Sequence, residues 1–259
     1  MDLYQLVFTR FDLFLLMAVR TSGVFFTAPP FAARQVPVQW RAAFGLMVAM
    51  VLLPVVQAPP ALPTTLIPWM AWAVREAALG LAIGWTVNLT FAAVQLGGQL
   101  LDTELGFSIV SVMDPQTGQQ MPLVGNFQYT LSLMILLLTN GHHLILAALA
   151  RSFALVPVGG AVLHPSLTDT VVALSGGVFL TAFKLAAPVL GAGFVTSVAL
   201  GVMARAMPQM NVFMVGLPLK LVAGLVVMVA GMPLYLATLS RVLDGLYGSL
   251  GQLIQSFHP

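Results

Sequence analysis

Of the 259 residues, 59% are hydrophobic and only 7% are charged, and the mean hydropathy is +0.97. A soluble domain of this size could not cover its surface with so few charges, so the composition predicts an integral membrane protein. The absence of cysteine excludes disulfides and thiolate metal sites. The ten basic and eight acidic residues are scattered singly, which indicates no nucleic-acid partner.

Six apolar segments follow one another between proline-rich or turn-rich breakers, and each is predicted to be helical. They are 11–33, 42–56, 69–101, 123–150, 170–204 and 211–240. The third is longer than a ~30 Å hydrocarbon core requires, and Pro188 and Pro218 interrupt the last two. The predicted fold class is therefore all-α, an integral membrane protein of about six hydrophobic segments in one membrane-embedded domain, 1–259.

A stripe of polar and small residues runs along the third segment at helical spacing. Its members are Glu76, Gly80, Gly84, Asn88, Ala92, Gln95, Gln99 and Asp102. Such a face avoids lipid, and the G-x-x-x-G of Gly80 and Gly84 lets another helix approach closely. The stripe indicates either helix packing, within or between subunits, or exposure to a water-filled conduit.

Charged residues inside apolar segments need partners, because an unpaired ion at membrane depth is costly. Arg75 and Glu76 are adjacent and point about 100° apart on a helix, so they cannot pair with each other. Candidate partners of Glu76 are Arg20, Lys184, Lys220 or a residue of another subunit. Arg75 can extend to the lipid headgroups. Structural ion pairs are favoured over a proton relay.

The stretch 106–122 joins the third and fourth segments and combines turn-forming with apolar residues. Asp114, Pro115 and Gly118 predict a chain reversal, whereas a solvated loop would not choose the apolar run before them. The connector is therefore either a functional element or a loop tucked against the membrane surface. Its candidate residues are Gly106, Phe107, Ile109, Val110, Val112, Met113, Asp114, Pro115, Gly118 and Pro122.

Enzyme signatures are missing from the sequence. It has no phosphate-binding loop, no nucleophile elbow and no zinc-binding helix motif. The adjacent His142 and His143 suit a turn or an interface better than a metal site. We therefore predict a protein without catalytic residues, cofactor or metal.

Several stretches, in chain order, resemble the FliR family, the flagellar members of the type III secretion export gate. They are EAALGLAIGW (76–85), GQLLDTELGF (98–107), MDPQTGQQMP (113–122), NGHH (140–143) and ARAMPQMNVFMVGLPLKLVAGL (204–225). The last stretch is specific and contains Arg205, Pro208, Gln209 and Asn211. Injectisome subunits are similar in layout.

The resemblance implies bent helical hairpins within a multi-subunit export gate in the bacterial inner membrane, at the flagellar basal body. Implied partners are FliP and FliQ, then FlhB, with FlhA nearby, together with membrane lipid and unfolded export substrates. It also implies that 106–122 reaches toward the closed channel as a plug. The competing class is a secondary transporter or small-solute channel acting alone, with a solute site at the helix break from Pro188 to Gly193.

Overall fold

The computed structural model describes residues 3–33, 36–59, 62–107, 122–162, 164–207, 209 and 211–258. Within these ranges the chain is helical and contains no strand, which confirms the predicted all-α class. The helices are α1 (Leu3–Thr27), α2 (Val38–Leu52), α3 (Leu66–Leu105), α4 (Leu123–Leu138), α5 (Gly141–Leu155), α6 (Pro165–Ala206), α7 (Val212–Ala230) and α8 (Met232–Gln255).

Local chemistry sets where several helices begin and where the chain bends. Pro37 precedes α2 and Pro165 opens α6, positions where a missing N–H costs nothing. Between α4 and α5 the chain turns by 70° at Asn140, whose φ of 58° is left-handed. Between α7 and α8 it turns by 60° at Gly231. Two of the predicted segments are therefore bent pairs of helices.

Two helices are long and apolar enough to cross a membrane, α3 with 40 residues and α6 with 42. The pairs α4–α5 and α7–α8 pass the same test only when each bent pair is taken together. By length and composition, the described residues thus contain two spans, or up to four. The segment 42–56 falls on α2, which at 15 residues is shorter than the ~20 needed to span the hydrocarbon core.

The chain divides into two compact units. Unit 1 comprises Met1–Thr90, Leu136–Ser175 and Leu243–Pro259. Unit 2 comprises Phe91–Ile135 and Gly176–Val242. Since α3, α4, α6 and α8 each contribute residues to both units, the division does not follow the helix boundaries.

Unit 1 contains a close contact between α1 and α3 that depends on glycine. A Cβ added to Gly23 would lie 2.9 Å from the backbone carbon of Gly80. A Cβ on Gly80 would overlap the carbonyl oxygen of Arg20, and one on Gly84 would overlap the hydroxyl of Thr27. Backbone therefore meets backbone along the G-x-x-x-G, which is the approach that small residues permit.

Unit 2 has its own apolar core. Its buried members are Leu101, Leu105, Val124, Ala186 and Val189, with Val227 and Met228 packed against them. The cluster joins the end of α3, the start of α4, the middle of α6 and the end of α7. These elements consequently fix the point at which the chain enters and leaves the connector 106–122.

The glycine contact predicts a loss of stability for Gly80→Ala. Overpacking at a filled contact costs about 1–3 kcal/mol, which exceeds the ~1 kcal/mol that alanine gains over glycine within a helix. Gly177→Ala on α6 is the matched control, because nothing lies within 4 Å of that position. The free energy of unfolding of the detergent-solubilised chain is the measurement. Equal values for the two variants would show that α1 and α3 do not meet at Gly80.

Candidate functional site

A fully buried ion pair joins α1 to α3. Arg20 and Glu76 both have side chains that are 0% exposed. The Nε of Arg20 donates to Oε2 of Glu76 at 2.6 Å, and Nη2 donates to Oε1 at 3.0 Å. This bidentate geometry is the strongest arrangement for a guanidinium and a carboxylate.

Residues of α5 and the turn after it complete the network. Nη1 of Arg20 donates to Oγ of Ser152 at 3.2 Å and to the carbonyl of Val156 at 3.0 Å. The N–H of Gly159 donates to Oε1 of Glu76 at 2.8 Å. The guanidinium carbon also lies 4.3 Å from the centre of the Phe153 ring. Both charges are therefore compensated on several sides, as a buried pair requires.

Gly159 can be no other residue in this turn. Its φ of 80° is left-handed, and a Cβ would overlap the indole of Trp72. Gly159, Ser152 and the carbonyl of Val156 are not among the residues predicted from the sequence. The one signal in the sequence is the pair Gly159 and Gly160, which follows Pro157 between the predicted segments 123–150 and 170–204.

The other cations named from the sequence lie elsewhere. Lys220 contacts Glu104 at 2.7 Å, with both side chains about a quarter exposed. Arg75 is exposed on α3. Lys184 is exposed on α6 and lines a groove in unit 2. Of the candidates within the chain, the structure thus places Arg20 against Glu76.

The residues of the predicted stripe on α3 differ in how far they are buried within the chain. Glu76, Gly80, Gly84 and Asp102 are buried within the chain, and Ala92 is half-buried. Asn88, Gln95 and Gln99 are exposed. Beside the exposed amides, Gly97 packs against Ala182 and Gly98 against Gly125. These two glycines form the close contact in that part of the helix, and neither belongs to the stripe predicted from the sequence.

Asp102, close before the connector, forms hydrogen bonds with residues close after it. Its Oδ1 accepts from the N–H of Val124 at 2.9 Å and its Oδ2 accepts from the N–H of Gly125 at 3.0 Å. The buried carboxylate therefore caps the start of α4, where free N–H groups and the helix dipole favour a negative charge.

A second set of contacts holds the end of α3. Glu104 pairs with Lys220 of α7, and it lies so close to Gly193 of α6 that a Cβ there would overlap its carboxylate. Gly106 then adopts a φ of 84° beside Leu217. Most of the predicted plug residues lie outside the described residues. They are Ile109, Val110, Val112, Met113, Asp114, Pro115 and Gly118.

The residues of the specific motif at 204–225 lie around the start of α7. Arg205 is exposed in the last turn of α6, and Gln209 is exposed after it. Asn211 is the N-cap of α7, its Oδ1 accepting from the N–H of Met214 at 3.3 Å. Pro208 lies outside the described residues. Among the residues that the structure describes, no group of three or more His, Asp or Glu side chains could hold a metal ion.

These features define an all-α integral membrane protein whose buried charges join helices to one another. The sequence profile of the bacterial export proteins, family 1, matches residues 11–246. The chain belongs to this family, as a member of the FliR group of bacterial export proteins.

Several similar proteins share the name flagellar biosynthetic protein FliR. The flagellar biosynthetic protein FliR of Bacillus subtilis is 37% identical over 237 residues, which is 90% of each chain. That of Escherichia coli is 27% identical over 91% of this chain and 90% of its own. That of Aquifex aeolicus is 28% identical over 94% of each chain. The similarity therefore covers both compact units.

The buried pair predicts different effects for two neighbouring substitutions. Glu76→Gln leaves the guanidinium of Arg20 buried without a counter-charge, which should lower the free energy of unfolding by about 3–5 kcal/mol. Arg75→Gln removes an exposed charge and should change it by about 0.5 kcal/mol or less. Denaturant unfolding of the solubilised chain measures both. Similar losses for the two variants would contradict the burial of the pair.

The cap on α4 predicts a local effect of Asp102→Ala. Two buried N–H groups lose their acceptor, at a cost of about 1–3 kcal/mol each. The amides of Val124 and Gly125 should then exchange with deuterium faster, whereas Asp102→Asn, which keeps one acceptor oxygen, should have an intermediate effect. Asp169→Ala, which removes an exposed carboxylate from α6, is the control. Unchanged exchange in Asp102→Ala would rule out the cap.

Proposed function

We propose that the chain is a non-enzymatic core subunit of the flagellar type III export gate in the bacterial inner membrane, at the basal body. In this proposal it helps to form the passage for unfolded flagellar proteins, and the connector 106–122 seals that passage. Membership of a bacterial export family and the FliR relatives support the flagellar assignment.

The observation that carries the proposal is the position of the connector's ends. Asp102, just before the connector, bonds directly to Val124 and Gly125, just after it. A few residues would suffice to join two points held so close together, and a longer loop without such a need is usually functional. The surplus length and the apolar residues of 106–122 suit a segment that reaches away from its base and lodges against protein.

The exposed amides of α3 support assembly with other subunits. Asn88, Gln95 and Gln99 lie on a helix that is long and apolar enough to cross a membrane, yet they are exposed in this chain. Amides are costly against lipid, so in the assembled state they face protein or water. FliP and FliQ are the proposed neighbours on this face, with FlhB and FlhA as further partners.

The best-defined charged groups support a structural rather than an enzymatic role. Arg20 and Glu76 are engaged with each other, Asp102 caps a helix, and Glu104 pairs with Lys220. None of these contacts leaves the group free to attack a substrate or transfer a proton to one. These engaged charges support a subunit that carries out no bond chemistry itself.

The sealing role predicts that deleting residues 109–113 leaves the gate assembled but leaky. The deletion removes apolar side chains that would each contribute about 1.5–3 kcal/mol to a closed seal. The hydrogen bonds from Val124 and Gly125 to Asp102 are retained, so the helices keep their arrangement. Dye leakage or conductance of vesicles containing the chain with FliP and FliQ gives the readout, and co-purification of the three proteins reports assembly.

A variant of equal length separates sealing from linking. Replacing 109–113 with glycine and serine keeps the span of the connector but removes its apolar contacts, and we expect the same leak. Intact assembly without increased leak would refute the seal, and lost assembly in both variants would favour a loop tucked against the membrane surface. Solute transport by the chain reconstituted alone would favour the transporter class.

A further inference from the structure

The helices α3 and α4 of unit 2 share an exposed face that is polar but carries no charge. Asp102 bonds to Val124 at one end of the pair, and the rings of Phe91 and Tyr129 lie 5.7 Å apart farther along, so the two helices run antiparallel. The polar side chains of this face are all exposed. They are Gln95, Gln99 and Thr103 of α3, and Asn126 and Thr130 of α4. We call these five residues the amide face.

Helical spacing places the five residues on one side of the helix pair. Gly125 of α4 lies against the main chain of Gln95 and Gln99, so these two positions border α4 directly. At about 100° per residue, the two polar residues of α4 lie on the same side as the amides of α3, whereas Phe127 lies on the groove side of α4 with residues of α6. One surface therefore presents three amides and two hydroxyls over roughly 12 Å of α3, at 1.5 Å per residue.

The amide face does not suit close packing against a further helix. Helices in membranes approach closely at small residues. The glycines in this part of α3 are Gly97 and Gly98, and both are already used within the chain, against Ala182 and Gly125. Glutamine side chains also lose much rotational freedom when a contact buries them. Water is therefore the better environment for this face.

The chemistry of the amide face is complementary to the main chain of an unfolded protein. A side-chain amide offers both a donor and an acceptor, as a peptide group does. None of the five groups ionises near neutral pH, so the face does not select acidic or basic segments. The neighbouring carboxylate of Asp102 is buried and accepts from two N–H groups. The face thus lies at the base of the connector 106–122 without carrying a charge there.

We propose that the amide face lines the water-filled passage and forms transient hydrogen bonds with the main chain of extended export substrates, whatever their sequence. This role rests on the proposed function and adds which residues of this chain touch the substrate. FliP and FliQ then surround the passage, so they lie across from the amides without packing against them.

Substituted cysteines test the proposal in the gate assembled with cysteine-free FliP and FliQ. The chain itself has no cysteine, so Gln99→Cys introduces a single thiol. An export substrate fused to a stably folded domain halts in the passage, and its unfolded part provides one cysteine for a short cross-linker. Gln99→Cys should react with a water-soluble maleimide and capture the substrate. Phe183→Cys, at an exposed apolar position of α6, should do neither.

Substrates of opposite charge test whether the contact is independent of sequence. Two halted substrates differ only in carrying lysines or glutamates in the segment within the passage. Thr130→Cys should capture both with equal yield, and it also repeats the first test on α4 if Gln99→Cys does not assemble. Adding Gln95→Glu should favour the lysine-rich substrate by about threefold to fivefold, the size of an exposed ion pair.

Three results would overturn the proposal. They are capture of FliP or FliQ in place of substrate at Gln99→Cys, a thiol there that the water-soluble maleimide does not reach, and unequal capture of the two substrates by Thr130→Cys. Failure of the proposed function has a different sign, namely unimpaired flagellar export in cells that lack the chain. Loss of export in those cells, restored by the wild-type chain, upholds the proposed function whatever Gln99 contacts.

Discussion

The ion pair between Arg20 and Glu76 is the constraint on which the first compact unit depends. Removing both charges from water is expensive, and the geometry recovers that cost only because every contributing element is in place. The guanidinium donates to Glu76 of α3 and to Ser152 of α5, and the carboxylate accepts from the N–H of Gly159 in the turn after α5. Sequence positions more than 130 apart therefore meet at one point. A misplaced helix would leave a buried charge uncompensated, so the pair selects one packing arrangement.

The second unit uses charge differently, at the ends of helices. Asp102 satisfies the first N–H groups of α4, while Glu104 and Lys220 join the end of α3 to α7. These contacts lie beside the apolar core of Leu101, Leu105 and Val124. Apolar burial supplies the packing, and the carboxylates fix the direction in which the chain departs and returns. Both ends of the connector 106–122 are thus attached to one packed base.

The sequence predicted the helical segments well because apolar runs are local features. It was wrong that Pro188 and Pro218 interrupt the last two segments, since both prolines lie inside continuous helices, α6 and α7. It named Arg20 among the possible partners of Glu76 but could not choose between Arg20, Lys184 and Lys220, since pairing depends on which helices become neighbours. Helical spacing also predicted one continuous stripe on α3, whereas Asn88, Gln95 and Gln99 are exposed and Gly97 and Gly98 make the close contacts. Periodicity identifies a face of a helix but not what covers it.

The surface of α6 has a consequence for how the protein survives in a cell. In its most apolar stretch only 28% of the residues are buried, and large side chains such as Phe179, Phe183 and Phe194 are exposed. A copy without partners carries this face and the amides of α3 on the same molecule, so neither lipid nor water suits it throughout. Binding of partners stabilises such a chain by mass action. We therefore expect the abundance of the chain in cells to depend on the presence of subunits that cover this face.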